Sequence, residues 1–130
     1  MGEPGAKLVP LPQPRDLREE ELALVGFLLA GPLGTEELRR QAEVIRVSGV
    51  CTFRCPSIQL EVDRSAPSTP FADGDLPLKF CARGVNAVGI EVEVGLRVVS
   101  GRLVELEIWA GEFGPALAPA LGDLRYDEKA

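Results

Sequence analysis

Histidine is absent from this sequence, and lysine and tyrosine are scarce. The chain has no His and one tyrosine, Tyr126, and its lysines are Lys7, Lys79 and Lys129. Without an imidazole it cannot form a Ser-His-Asp or Cys-His relay or an HExxH zinc site. Proton transfer would fall to carboxylates, cysteine, lysine or tyrosine. The composition therefore favours a non-enzymatic protein, although an enzyme built on carboxylates is not excluded.

Positive charge is also in short supply. The 14 Lys and Arg residues stand against 20 Asp and Glu, which gives a formal net charge of −6. This balance opposes binding to phosphate backbones, so we expect no nucleic-acid partner. The densest basic spot, Arg39-Arg40, reads as the polar side of a helix.

Long apolar runs are missing as well. The longest, Leu22 to Ala30, is about half of what a membrane span needs. Residues 1–6 show no basic stretch leading into an apolar one, as a signal peptide would. We expect a cytoplasmic protein without a membrane partner, whose cysteines stay reduced.

The organisation along the chain indicates one domain between two loose ends. A chain of 130 residues with 45% hydrophobic residues can bury a single core. Residues 1–15 contain four prolines, which exclude helix and central strand, and predict an extended arm. We assign residues 16–124 to a single α+β domain and expect residues 125–130 to fray.

Two helices open the domain. Asp16 is the expected N-cap of a helix over 17–30, with Glu19 completing a capping box and Gly31-Pro32 ending it. Thr35 is the expected N-cap of a second helix over 36–43.

From residue 44 the hydrophobic period changes from that of a helix to that of a strand. Alternation predicts strands over 44–50 and 57–63, a third around Leu78 to Arg83, and a hairpin spanning 88–110. Helices followed by a run of strands indicate an α+β fold, with both helices packed on one face of a mostly antiparallel sheet of about five strands. Such a sheet has two open edges, through which the chain could self-associate.

The last hairpin offers two registers. A two-residue Ser100-Gly101 turn sets Leu96 opposite Glu105, an apolar side chain against an acidic one. A three-residue loop, 99–101, sets Leu96 opposite Val104 and gives Gly101 the left-handed bulge position. We therefore predict the three-residue loop.

Three cysteines form the first candidate site. Cys51 and Cys55 flank a tight connection, and Cys81 lies on a strand that could neighbour them. Three thiolates could hold zinc, and a CxxxC pair could carry thiol redox chemistry. The alternative is that small cysteines pack as apolar groups.

Acidic side chains beside the only tryptophan form the second candidate site. Alternation along the last hairpin points one set of residues away from the core: Glu91, Glu93, Glu105, Glu107 and Trp109, here called the Glu/Trp face. Carboxylates on adjacent strands repel one another unless a cation lies above them, and tryptophan is common at interface hot spots. We expect this face to bind a basic protein partner or a second copy. The alternative is a solvated face that keeps the protein dissolved.

Several segments resemble a known group of proteins. They are the helix end Phe27-Leu28-Leu29, the loop end Cys55-Pro56-Ser57 continuing as a strand to Asp63, and the closing segment 101–108. Together they resemble small uncharacterised bacterial proteins with an N-terminal helix pair and a Cys-containing hairpin loop. The resemblance implies a bacterial cytosolic origin and no known activity.

Overall fold

The computed structural model describes residues 8–31, 35–51, 56–68, 78–109, 122 and 124–126. Within them lie two helices and seven strands. In chain order these are β1 (Leu8–Arg15), α1 (Glu19–Leu29), α2 (Glu36–Gln41), β2 (Ile45–Cys51), β3 (Ile58–Val62), β4 (Leu78–Val85), β5 (Glu91–Val99), β6 (Arg102–Trp109) and β7 (Arg125–Tyr126).

The strands form one antiparallel sheet in the order β1-β2-β3-β6-β5-β4-β7. One apolar cluster joins α1 residues such as Val25 and Leu28, Leu38 of α2, and alternate strand residues such as Val94 and Leu106. The helices approach the sheet at few places: α1 meets β4 and β5, and α2 meets β6. The α+β class is confirmed, whereas the expected count of about five strands is wrong.

The two additional strands are β1 and β7, and neither segment has the alternating pattern that predicts a strand. Leu8–Arg15 is an edge strand on β2, and its pairing shifts between Pro10 and Arg15. Prolines suit an edge because one side of such a strand makes no ladder. At the opposite edge, Arg125 and Tyr126 pair with β4 instead of fraying. A strand of two residues carries no readable alternation, so only tertiary contacts fix it.

The start of α1 differs from the predicted cap. The helix begins at Glu19, and the carboxylate of Glu21 accepts a hydrogen bond from the Arg18 amide at 2.7 Å. Asp16 is exposed, and its carboxylate lies 3.8 Å from the Arg46 guanidinium. The first turn of α1 contains Glu19, Glu20 and Glu21. Glu21 also binds Arg15, and this contact determines where the helix begins.

Thr35 caps α2 as predicted, since its hydroxyl accepts from the Leu38 amide at 3.2 Å. The helix ends at Gln41, two residues earlier than the pattern suggested.

The predicted three-residue hairpin loop is wrong. Val99 pairs with Arg102 across a two-residue turn, in which Ser100 and Gly101 have φ of 53° and 77°. Positive φ at both positions is the type I′ geometry that matches the twist of a hairpin. The register then shifts by one residue, because Val98 faces Leu103 while Arg97 faces Glu105. This bulge at Val104 restores the apolar pairing that the tight turn alone would lose.

Candidate functional site

The Glu/Trp face is built by cross-strand rows on β4, β5 and β6. One row runs Arg83–Glu93–Trp109, because Glu93 pairs with Arg83 on one side and with Trp109 on the other. The next row centres on Gly95, with Glu107 as its β6 neighbour. Successive rows are two residues, or about 7 Å, apart along the strands.

A third row joins the face to β3. Arg97 pairs with Glu105, and Glu105 pairs in turn with Gln59. Core residues Leu96 and Leu106 face each other in the row between, so these polar side chains lie on the opposite side from the apolar cluster.

Arginines within the face offset its carboxylates. Arg83 lies 3.2 Å from Glu93, and Arg97 lies 3.4 Å from Glu105. The sequence pattern predicts an external cation above these carboxylates and indicates neither arginine. Cross-strand pairs of opposite charge each contribute roughly 0.2–1 kcal/mol, so the arginines relieve part of the repulsion. The pair of Arg97 with Glu105 depends on the bulge in the hairpin, and the pair of Arg83 with Glu93 depends on β4 lying beside β5.

Exposure differs sharply across the face. The Glu105 side chain is only 18% exposed, whereas Trp109 is 55% exposed. Burying an exposed indole removes a large apolar area from water, about 25 cal/mol for each Å². Of the side chains of this face, Trp109 would therefore contribute the most binding free energy when a partner covers it.

Two exposed valines lie at the β4–β5 end of the same sheet. Val85 pairs with Glu91 and follows the alternation of Arg83, with Gly84 buried between them, so it shares the side of the Glu/Trp face. Val88 lies in the turn that joins β4 to β5 and is 56% exposed. A small apolar area thus borders the acidic one. The alternation predicts that Val88 lies in the hairpin strand, which is wrong, because β5 begins at Glu91.

Asn86 holds this turn in place. Its side-chain oxygen accepts hydrogen bonds from the amides of Val88 and Ile90 at 3.1 and 3.0 Å. Gly89 takes the positive φ of 83° that closes the turn. The exposed valine is therefore presented on an ordered turn.

Two of the three cysteines, Cys51 and Cys81, lie on separate strands. Cys51 ends β2 and Cys81 lies on β4, and these strands are four positions apart in the sheet. At about 4.8 Å per position, that separation is about 19 Å. Strands this far apart do not bring Cys51 and Cys81 to one metal ion, and Cys55 lies outside the described residues.

Cys51 is disulfide-bonded, so the expectation that the cysteines stay reduced is wrong at this position. That expectation rested on the compartment, which does not determine whether two sulfurs approach each other. A sulfur held in a disulfide is not a thiolate ligand. Among the described residues, no three Cys, Asp or Glu side chains are grouped as a metal site would require.

The comparisons with known proteins add no assignment. No family model, no curated protein and no solved structure matches the chain. The resemblance to small bacterial proteins stays a prediction. Within the described part of the chain, no helix is long and apolar enough to cross a membrane.

Proposed function

We propose that this protein is a non-enzymatic interaction module whose Glu/Trp face binds a basic surface of another protein. The observation that carries the proposal is the 55% exposure of Trp109 in a row with Glu93. We also infer that both helices cover the opposite face of the sheet, since their apolar side chains join the core cluster. The Glu/Trp face then lies on the side of the described sheet that points away from the helices.

Charge favours a basic partner over a second copy. Arg83 and Arg97 offset two of the four glutamates of the face, and Lys79 and Arg125 pair with these arginines at its β4 border, so the acidic excess lies on the β5–β6 side. Two copies placed face to face would bring like charges together, on chains that each carry a net charge of −6. A lysine- or arginine-bearing surface meets complementary charge instead.

Trp109 gives the basic group a specific position. A guanidinium or ammonium stacked on an indole gains about 0.5–2 kcal/mol, more as water is excluded. Glu93 lies beside Trp109 across the ladder, and Glu107 lies two residues before it on the same side of β6. Such a cation would therefore have carboxylates next to the ring.

The test uses Trp109 fluorescence, because this is the only tryptophan in the chain. Titration with an arginine-rich peptide should shift the emission, and the effect should weaken as salt rises. The Glu91→Lys variant should bind more weakly, and Trp109→Ala, followed by calorimetry, should lose about 2 kcal/mol of binding free energy.

The matched control is Glu43→Lys, the same charge change at an exposed position after α2. It should leave the titration nearly unchanged. Equal weakening by Glu91→Lys and Glu43→Lys would mean that only net charge matters, and the proposal would be wrong. No emission shift with any basic peptide would also overturn it.

A second candidate, thiol redox function, is favoured by the disulfide at Cys51. Since β4 lies too far away for Cys81, this candidate assigns the partner sulfur to Cys55. A dithiol reductant would break the S–S bond, giving two thiols here while it becomes a disulfide itself. Mass mapping of the Cys81→Ser variant should then still show a bond joining Cys51 to Cys55. Mapping that shows free thiols at both positions would remove the candidate.

A further inference from the structure

The last described residues fasten one sheet edge to the end of α1. Leu124 is 6% exposed and belongs to the core cluster, and Arg125 and Tyr126 pair with β4. Residues 124–126 are called the strap. The strap contacts two separate elements, the helix α1 and the edge strand β4.

Tyr126 fits a notch that this part of α1 provides. Its ring stacks on Phe27 with centroids 4.7 Å apart, and its hydroxyl donates to the Phe27 carbonyl. That carbonyl belongs to the last turn of α1, where carbonyls lack a partner within the helix. A Cβ on Gly31 would lie 2.6 Å from the Tyr126 ring, so the ring occupies space that only glycine leaves open.

Among the described residues, the strap pairs with Ala82 and Arg83 at the edge of β4. Leu124 and Tyr126 are two residues apart, so both side chains of this extended segment reach the helix side of the sheet. Adding a strand to a sheet edge, with alternate side chains in pockets, is a known mode of peptide recognition.

We propose that the β4 edge and the notch at Phe27 and Gly31 form a docking site for an extended Leu-x-Tyr segment of another chain. In the free protein the strap occupies this site in cis. A tethered segment has an effective concentration of about millimolar, so an external segment competes only weakly until the strap is weakened. The site is thus autoinhibited by the chain's own Leu124-Arg125-Tyr126.

The probe is a fluorescent peptide with the sequence of residues 122–130, added to full-length chains. Its anisotropy should rise with the Tyr126→Ala chain, because that strap has lost its anchor. Binding to the wild-type chain should be about tenfold weaker, the factor that corresponds to 1.4 kcal/mol. The peptide whose tyrosine is replaced by alanine should not bind.

The Gly31→Ala, Tyr126→Ala double variant fills the notch and should lose the peptide, while Trp109→Ala should change nothing. Failure of the peptide to bind the folded Tyr126→Ala chain would overturn the proposal. So would equal binding to the double variant. If Tyr126→Ala does not fold, hydrogen exchange on the wild-type chain decides: amides of 125–126 must exchange faster than those of β5 and β6. Equal protection would show that the strap opens only on global unfolding.

Discussion

Arg15 and Glu21 join the end of the edge strand β1 to the first turn of α1. The guanidinium donates from Nη1 and Nη2 to the two carboxylate oxygens at 3.0 and 3.1 Å. The same carboxylate accepts from the Arg18 amide, so one buried side chain sets both the helix start and the position of β1. Forked pairs of this kind are stronger than neutral hydrogen bonds.

This pair makes stability depend on pH. Burial raises the pKa of Glu21, but the Arg15 hydrogen bonds, the Arg18 amide and the nearby positive charges outweigh it and hold the pKa below the ordinary value. A folded-state pKa that is lowered contributes stability above the unfolded pKa, and this contribution is lost as pH falls through the folded value. We expect the free energy of unfolding to fall on acidification below the ordinary glutamate pKa.

The Glu21→Gln variant should lose about 1–2 kcal/mol near neutral pH and show a flatter acid dependence, because the charged partner is gone. Urea unfolding at a series of pH values measures both effects. Glu20→Gln, an exposed neighbour in the same turn, is the control and should keep the wild-type slope. A Glu21→Gln chain with the wild-type pH dependence would contradict the assignment.

Gln41 connects three segments from inside the protein. Its amide nitrogen donates to the carbonyls of Pro67 and Gly101 at 2.8 Å each, and its oxygen accepts from the Leu103 amide at 2.9 Å. The side chain is fully buried, so its removal leaves partners without hydrogen bonds. We expect Gln41→Ala to lose about 3 kcal/mol of unfolding free energy. Gln41→Met tests the cause: similar volume without hydrogen bonds should recover little of the loss, and full recovery would show that packing alone matters.

The Ser100-Gly101 turn holds a residue in a conformation that costs energy. Ser100 has φ of 53°, which side chains other than those of Asn and Asp rarely adopt. Ser100→Asn creates the preferred Asn-Gly pair and should raise stability by about 0.5 kcal/mol. Gly101→Ala places a methyl group at φ of 77° and should lower it by about 1 kcal/mol or more. Thermal unfolding of both variants checks the signs, and stabilisation by Gly101→Ala would be inconsistent with the two-residue turn.

Local signals account for the elements that carry their own pattern. The Thr35 cap predicts α2, and the alternation around Val94 and Ile108 predicts the last hairpin. Each of these signals lies within a few residues of the element that it predicts. Other features depend on contacts that no local pattern contains. They are the bulge at Val104, the pairing of Leu8 with Cys51, and the hydrogen bond between Gln41 and the Leu103 amide.

Some residues of the Glu/Trp face could likewise be predicted from local patterns, and others could not. Alternation places Glu105, Glu107 and Trp109 near one another, since that requires only one hairpin. The contact of Arg83 with Glu93 requires knowledge of which strand lies beside β5. Likewise, Cys51 and Cys81 could be judged together or apart only from the strand order.

Ser57 supplies a test of how firmly Trp109 is held. Its hydroxyl accepts from the Ile108 amide at 2.8 Å and donates to the Ile108 carbonyl at 3.2 Å, in place of a backbone pair. Ser57→Ala should cost about 1–2 kcal/mol, because the buried Ile108 amide loses its partner. Ser57→Thr keeps the hydroxyl and should lose less. Urea unfolding followed by Trp109 fluorescence measures both variants, and equal losses would show that the hydroxyl does not hold this end of β6.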